Sequence, residues 1–425
     1  MSKLTLSLAP PPARPLRWLM SAPLWGMVAG AWLLLQGDAA LLGRWSLQTV
    51  VLVHVFTLGV LGNAMLGSLF QFLPVAADTA MPLDASLPWL HAAFNLGLVL
   101  FVLILPHGAG SPAMPIASIL LGLPPVVIAL AALPALLRRG PQRMLRTGIG
   151  FSLCALVVTV AIGLLLVFLL RGALALPLDR IADVHAVSGL LGWIVGLMVA
   201  VGSVTLPMFQ GTKTVPAHWL AVWIALCGIG LAAGTVLYLA GGAQAALILA
   251  VSPAALAFIT ASLWLPWRAT RRRDTALPWF WRIGTLSLGA ACLIGLSGVA
   301  WPLSSQSVLV AGMLGIGIGL PMMLIGMMLE IVPFLAWIRL RRGCPRGIRI
   351  PGAGVLLPER DKYLVLVVHL GCAMVLCGAA GWPALARGAG FVLLLTYAVT
   401  FACLIACLRR AGHFLRGRLA QHMPR

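Results

Sequence analysis

Twelve stretches of this chain are apolar for long enough to cross a bilayer, and they take up most of its length. They lie near 16–36, 46–73, 88–106, 113–137, 147–170, 182–209, 218–240, 244–266, 279–302, 306–337, 362–382 and 386–408. A spanning helix needs roughly 20 predominantly apolar residues. Each run is continuous, whereas the strand of a membrane barrel would alternate every second residue, so only helices fit. The chain is 61% hydrophobic and 9% charged, outside the range of soluble domains. The expectation is an all-α integral membrane protein with one twelve-helix domain over 16–408. It is flanked by an N-terminal tail, 1–15, and a basic C-terminal tail, 409–425.

The formal net charge of +20 would suggest a nucleic-acid partner, but its placement points to the lipid bilayer instead. If the chain starts in the cytoplasm, the inner segments carry 25 of the 29 Lys and Arg; only Arg44, Arg171, Arg180 and Arg387 fall on the outer side. That is the positive-inside pattern, and it argues for twelve crossings with both termini cytoplasmic. The basic loops, 338–362 above all, then meet anionic headgroups. A binding role for Arg271, Arg272 and Arg273 is the alternative. The start of the chain lacks the basic-then-apolar order of a cleaved signal peptide, so the first apolar segment is expected to stay. Pro10, Pro11, Pro12 and Pro15 suggest an extended approach to the membrane. Seven of the eight cysteines lie within the expected spans, with no Cys-x-x-Cys, which argues against disulfides and against a zinc site.

One motif recurs inside the apolar runs. The first copy runs from His54 through Leu58-Gly59 and Met65 to Pro74, and the second from His185 through Leu191-Gly192 and Met198 to Pro207. A third, from Ala311 through Leu314-Gly315 to Pro333, keeps the frame without a histidine. Small residues let helices approach closely, and an imidazole near one end of such a helix could hold a buried metal or heme. Neutral imidazole suits iron and copper alike.

Four histidines fall within spans. The expected topology puts His54 and His185 in the outer part of the membrane and His91 and His369 in the inner part. Two pairs at two depths would suit a protein that carries electrons across the membrane. The plain alternative for each is packing with a hydrogen bond to a backbone carbonyl. Among the few acidic residues, Glu330 alone looks deep enough to be costly. It could pair with an arginine, carry protons, or simply reach the inner interface. Asp183, two residues before His185, could accept a hydrogen bond at the outer surface. Met322, Met323, Met327 and Met328 suit core packing, with a ligand role as the alternative.

At these residues the chain resembles the superfamily of heme–copper oxidase subunit I, and within it the smaller oxidase-like and NnrS-like membrane proteins. The likeness rests on His54-x-x-x-Leu58-Gly59 with a later Leu73-Pro74-Val75, on His185 through Leu-Leu-Gly-Trp to Leu206-Pro207-Met208-Phe209, and on Ile331-Val-Pro-Phe-Leu-Ala-Trp337. It implies twelve spans in three pseudo-repeated arcs, heme or copper as cofactor, and a bacterial inner-membrane protein of respiration or nitric oxide metabolism with a respiratory redox partner. Relatives often read His-x-His at the outer end of the motif; here Leu52 and Val187 take the missing places. A full oxidase of the superfamily needs six ligating histidines, and four lie in spans, so a complete oxygen-reducing site is not expected. A membrane transporter, in which His54, His185 and Glu330 line one path, is the competing reading. An assembly partner of a respiratory complex is a third.

Overall fold

The computed structural model describes residues 10–76, 83, 85–138, 142–267, 275–345 and 347–422. Asp78, Asp84, Asp274 and the Arg271–Arg273 run lie outside them. Among the described residues no strand occurs, and twelve helices are long and apolar enough to span a membrane. They are α1 (Ala13–Leu41), α2 (Leu47–Pro74), α3 (Leu87–His107), α4 (Ala113–Leu137), α5 (Arg143–Leu170), α6 (Leu178–Gln210), α7 (Ala217–Leu239), α8 (Gln244–Pro266), α9 (Leu277–Ser297), α10 (Ser305–Gly343), α11 (Glu359–Gly381) and α12 (Pro383–Gly417).

The cores of all twelve coincide with the expected spans, and the differences lie at the ends. The helix of α10 continues to Gly343 with Arg341 and Arg342 in its last turn, and that of α12 runs from Ala386 to His422. Part of the expected basic loop and tail is therefore helix. Arginine is a good helix former, and cations in a last turn complement the helix dipole. Pro15, expected in an extended approach, is buried in the first turn of α1, where a missing N–H leaves no hydrogen bond unmade.

Successive helices pack side by side, and α12 returns against α1 to close the bundle. The closure depends on two glycines. A Cβ on Gly30 would stand 2.3 Å from the backbone nitrogen of Leu394, and one on Gly390 would stand 2.3 Å from that of Leu34. The backbones of α1 and α12 thus touch at this crossing, as membrane helices do when no hydrophobic force pulls them together. Gly97 against Leu121 and Gly230 against Ala250 serve the α3–α4 and α7–α8 contacts in the same way.

Three helices change register inside the membrane. Val55–Gly62 in α2, Ser188–Val195 in α6 and Met313–Gly319 in α10 are π-helical. Each closes on an i→i−5 bond, from Asn63 N–H to the Leu58 carbonyl, from Gly196 to Leu191 and from Leu320 to Gly315. These turns contain the repeated Leu-Gly pairs. The change of register leaves carbonyls in need of donors. In α2 the Asn63 side chain answers that need, its amide donating to the Gly59 carbonyl at 3.0 Å. Asn63 and Asn95 also exchange two 3.2 Å hydrogen bonds, and Trp25 Nε1 donates to Asn95 Oδ1 at 2.6 Å. This buried network ties α1, α2 and α3 together.

Replacing Gly30 or Gly390 by alanine puts a methyl group into backbone that cannot rotate away. A loss of ~1–3 kcal/mol is expected, the range for overpacked sites. It is read as a lower unfolding midpoint of the detergent-solubilised protein, with Gly371→Ala, where a Cβ meets nothing within 4 Å, as the silent control.

Candidate functional site

The register changes in α2 and α6 each follow a histidine. His54 is the residue immediately before the π turn of α2, and His185 lies three residues before that of α6. The two helices bring the imidazoles together, with ring centres 6.1 Å apart and planes inclined by 21°. Both rings are partly buried. Phe101 of α3 covers His54 at 4.9 Å between ring centres. Gly163 of α5 makes room for His185, since a Cβ there would lie 3.1 Å from Cε1.

The hydrogen bonds set the tautomers. His54 Nδ1 lies 2.8 Å from the Val50 carbonyl, one turn back in α2. His185 Nδ1 lies 3.1 Å from the Thr159 carbonyl of α5. A carbonyl can only accept, so both Nδ1 atoms donate and both Nε2 atoms carry a lone pair. A donor bond on the far nitrogen is also how metal-ligating histidines are oriented.

A two-imidazole set can be tested against a metal on distance alone. With about 2.0–2.1 Å from metal to ring nitrogen, two rings on opposite sides of one ion have centres roughly 6–6.5 Å apart, and the observed separation falls in that range. Among the described residues no group of three or more His, Cys, Asp or Glu gathers at one point. The donors are two neutral nitrogens. Two neutral imidazole nitrogens are donors that a heme iron or a copper(I) ion would take.

Above this pair sits an ionic latch that holds the two helices in register. Asp183 accepts from Arg44 Nη1 at 2.6 Å, from the Tyr238 hydroxyl at 2.9 Å and from Gln244 Nε2 at 2.9 Å. Arg180 donates to the carbonyls of Tyr238 and Gly242, with its guanidinium 5.0 Å from the centre of the Tyr238 ring. The latch joins the loop before α2 to α6, α7 and the start of α8. Sequence reasoning placed Asp183 at this surface but gave Tyr238 no role. The two stand 55 residues apart, so no local pattern links them.

The inner histidines do not form a second pair. His91 of α3 bonds through Nε2 to the Ser21 hydroxyl at 2.9 Å and packs edge-on against Trp18. His369 of α11 bonds through Nε2 to Thr400 Oγ1 at 3.0 Å, between Phe280 and Tyr397. Each has its own surroundings and its own hydroxyl partner. His107, His218 and His413 are exposed. The eight cysteines are free thiols, and Met322, Met323, Met327 and Met328 are buried.

Glu330 finds a lysine rather than an arginine. Lys362 Nζ lies 2.5 Å from Glu330 Oε1 and 2.8 Å from Glu359 Oε1, with its own side chain 4% exposed. An ammonium so buried is tolerable only when paired. The Glu359 carboxylate also accepts from the Ala276 backbone N–H at 3.2 Å, and Arg410 reaches Asp361 at 2.9 Å. This cluster fastens α9, α10, α11 and α12 at the bundle end where the chain begins and ends. It lies at the opposite end from His54 and His185.

Lys362→Met leaves two carboxylates facing each other without the ammonium that bridges them. Breaking a buried pair costs about 3–5 kcal/mol, and the half-exposed Glu359 puts this case at the lower end. A clear drop in the unfolding midpoint is expected, partly recovered when Glu330→Gln is added.

Comparison with family models and with curated proteins finds no match to this chain.

Proposed function

We propose that this protein holds a heme or a copper ion between His54 and His185 and serves respiratory electron transfer or nitric oxide metabolism. It would do so in the bacterial inner membrane, with both termini cytoplasmic and an oxidase-like arrangement of three arcs. The observation that carries this reading is the meeting of the two imidazoles, with both Nδ1–H groups spent on carbonyls and both Nε2 lone pairs left for an ion. Packing alone would require only the Nδ1 bonds. It does not call for two such rings at 6.1 Å, each leading into a register change.

The remaining residues support the same reading. The π turns at Leu58-Gly59, Leu191-Gly192 and Leu314-Gly315 favour one ancestral unit written three times, and π turns recur at functional sites. The four arginines on the opposite face each have a structural task that accounts for their departure from the charge rule. Arg44 binds Asp183, Arg171 caps the carbonyls of Ala109, Gly110 and Ser111, Arg180 holds Tyr238 and Gly242, and Arg387 packs on Gly37. The transport alternative asked His54, His185 and Glu330 to line one path. Glu330 instead bonds Lys362 at the far end of the bundle.

A bound heme or copper would supply one-electron exchange. The chain's contribution is to present two neutral nitrogens, to hold their tautomers through Val50 and Thr159, and to shield them with Phe101. The latch at Asp183 keeps the two helices from sliding apart.

The test is a visible spectrum, oxidised and dithionite-reduced, with copper analysis of the purified full-length protein. A reducible heme band, or a copper ion with nitrogen neighbours and no sulfur by X-ray absorption, is expected, and that signal is lost in both His54→Ala and His185→Ala. A colourless, copper-free protein would overturn the proposal, and uptake into vesicles would then favour transport.

A further inference from the structure

The third copy of the motif lacks a histidine of its own, yet its π turn faces one. Gly317 and Ile318 of that turn, with Met322 just beyond it, form one wall of a small cavity. His369 and Cys372 of α11 and Tyr397 of α12 are opposite. The free space has room for about one water-sized guest, too little for an organic cofactor. This cavity is separate from His54 and His185 and owes nothing to them.

Three of its side chains form a soft donor set. His369 and Cys372 stand three residues apart on α11, so they share a face of the helix. His369 is oriented as a ligand would be. The Thr400 hydroxyl donates to the Thr396 carbonyl at 2.9 Å, so it can only accept from His369 Nε2. That leaves the Nδ1 lone pair free, the histidine being held from behind by a second shell. Met322 adds a thioether from α10. Nitrogen, thiol and thioether together select copper(I).

Two further observations point to an ion rather than to packing. The Tyr397 hydroxyl is buried, 1% exposed, and makes no hydrogen bond, although it lines the cavity. A phenol donor with nothing to bond is costly in an apolar interior, and a thiolate there would accept from it. Charge also discriminates. Ligation displaces the Cys372 thiol proton. Copper(I) with one thiolate, a neutral imidazole and a thioether then carries no net charge. A divalent ion in the same set would leave an uncompensated charge in the hydrocarbon.

We propose that His369, Cys372 and Met322 form a buried copper(I) site in the third arc, with Tyr397 donating to the Cys372 sulfur. The experiment uses the full-length protein in a His54→Ala/His185→Ala background, so that copper at the outer pair cannot contribute. Copper(I) is titrated without oxygen against a chromogenic copper(I) chelator, and the bound ion is examined by X-ray absorption. One copper per chain with both sulfur and nitrogen neighbours is expected. Cys372→Ser should abolish binding, Met322→Leu should remove one sulfur neighbour, and Tyr397→Phe should weaken affinity roughly 10- to 100-fold, the range for second-shell partners. Should Cys372→Ser fail to fold, the loss of one sulfur neighbour in Met322→Leu tests the site by itself. No stoichiometric copper in this background, or copper indifferent to both sulfur substitutions, would overturn the site and leave the outer pair untouched. Copper at the inner cavity without heme or copper at the outer pair would do the reverse.

Discussion

In hydrocarbon a backbone carbonyl without a donor has no water to turn to, and this bundle is organised around that demand. Regular α-helix meets it automatically. The three π turns do not, because each adds a residue to the turn and leaves carbonyls in need of other partners. In α2 the debt is met by Asn63, which reaches back to Gly59 and is held in turn by Asn95. The same asparagine pair therefore supports the irregular turn below His54 and joins three helices. The local geometry of the histidine and the packing of α1–α3 are one problem with one solution.

The distribution of chemistry follows from the same constraint. A histidine on regular helix bonds most easily to its own preceding turn, as His54 does with Val50. Bringing a second imidazole against it requires a neighbouring helix whose ring is held from elsewhere, and Thr159 of α5 does this for His185. Gly163 on the same helix keeps the space open. Helix α5 thus shapes the site without contributing an imidazole. The charged residues are kept to the two ends, where Asp183 and Lys362 each gather several helices through short ionic bonds. Those two clusters pin the ends of the bundle and leave the interior to packing and neutral donors.

The twelve helices were legible from the chain alone because apolar length is a one-dimensional property. Depth is one too, which is why His54 and His185 could be matched across 131 residues. Azimuth is not. Whether a residue faces a neighbour depends on helix rotation and tilt, and here also on the extra residue of a π turn, which no propensity records. The expected pairing of His91 with His369 failed on this point, since similar depth on α3 and α11 leaves them facing α1 and α12 respectively. The repeated Leu-Gly pairs were the visible trace of the π turns, read only as places for close packing. Lys362 was counted as an inner-surface cation, and its role as the partner of Glu330 required the approach of α11 to α10.

The absence of a histidine from the third copy gains a different meaning once azimuth is known. In the first two copies the motif helix brings its own imidazole to the site. In the third, the π turn of α10 presents Gly317 and Ile318 to a face of α11 that carries His369 and Cys372. Here the histidine and cysteine stand on the neighbouring helix, while the irregular turn belongs to the motif helix. A turn that only relieved packing strain would have no reason to face a nitrogen, a sulfur and an unbonded phenol. If a π turn in this fold serves to open a small space beside a ligand, then its position, more than the histidine count of its own helix, marks where an ion can be held.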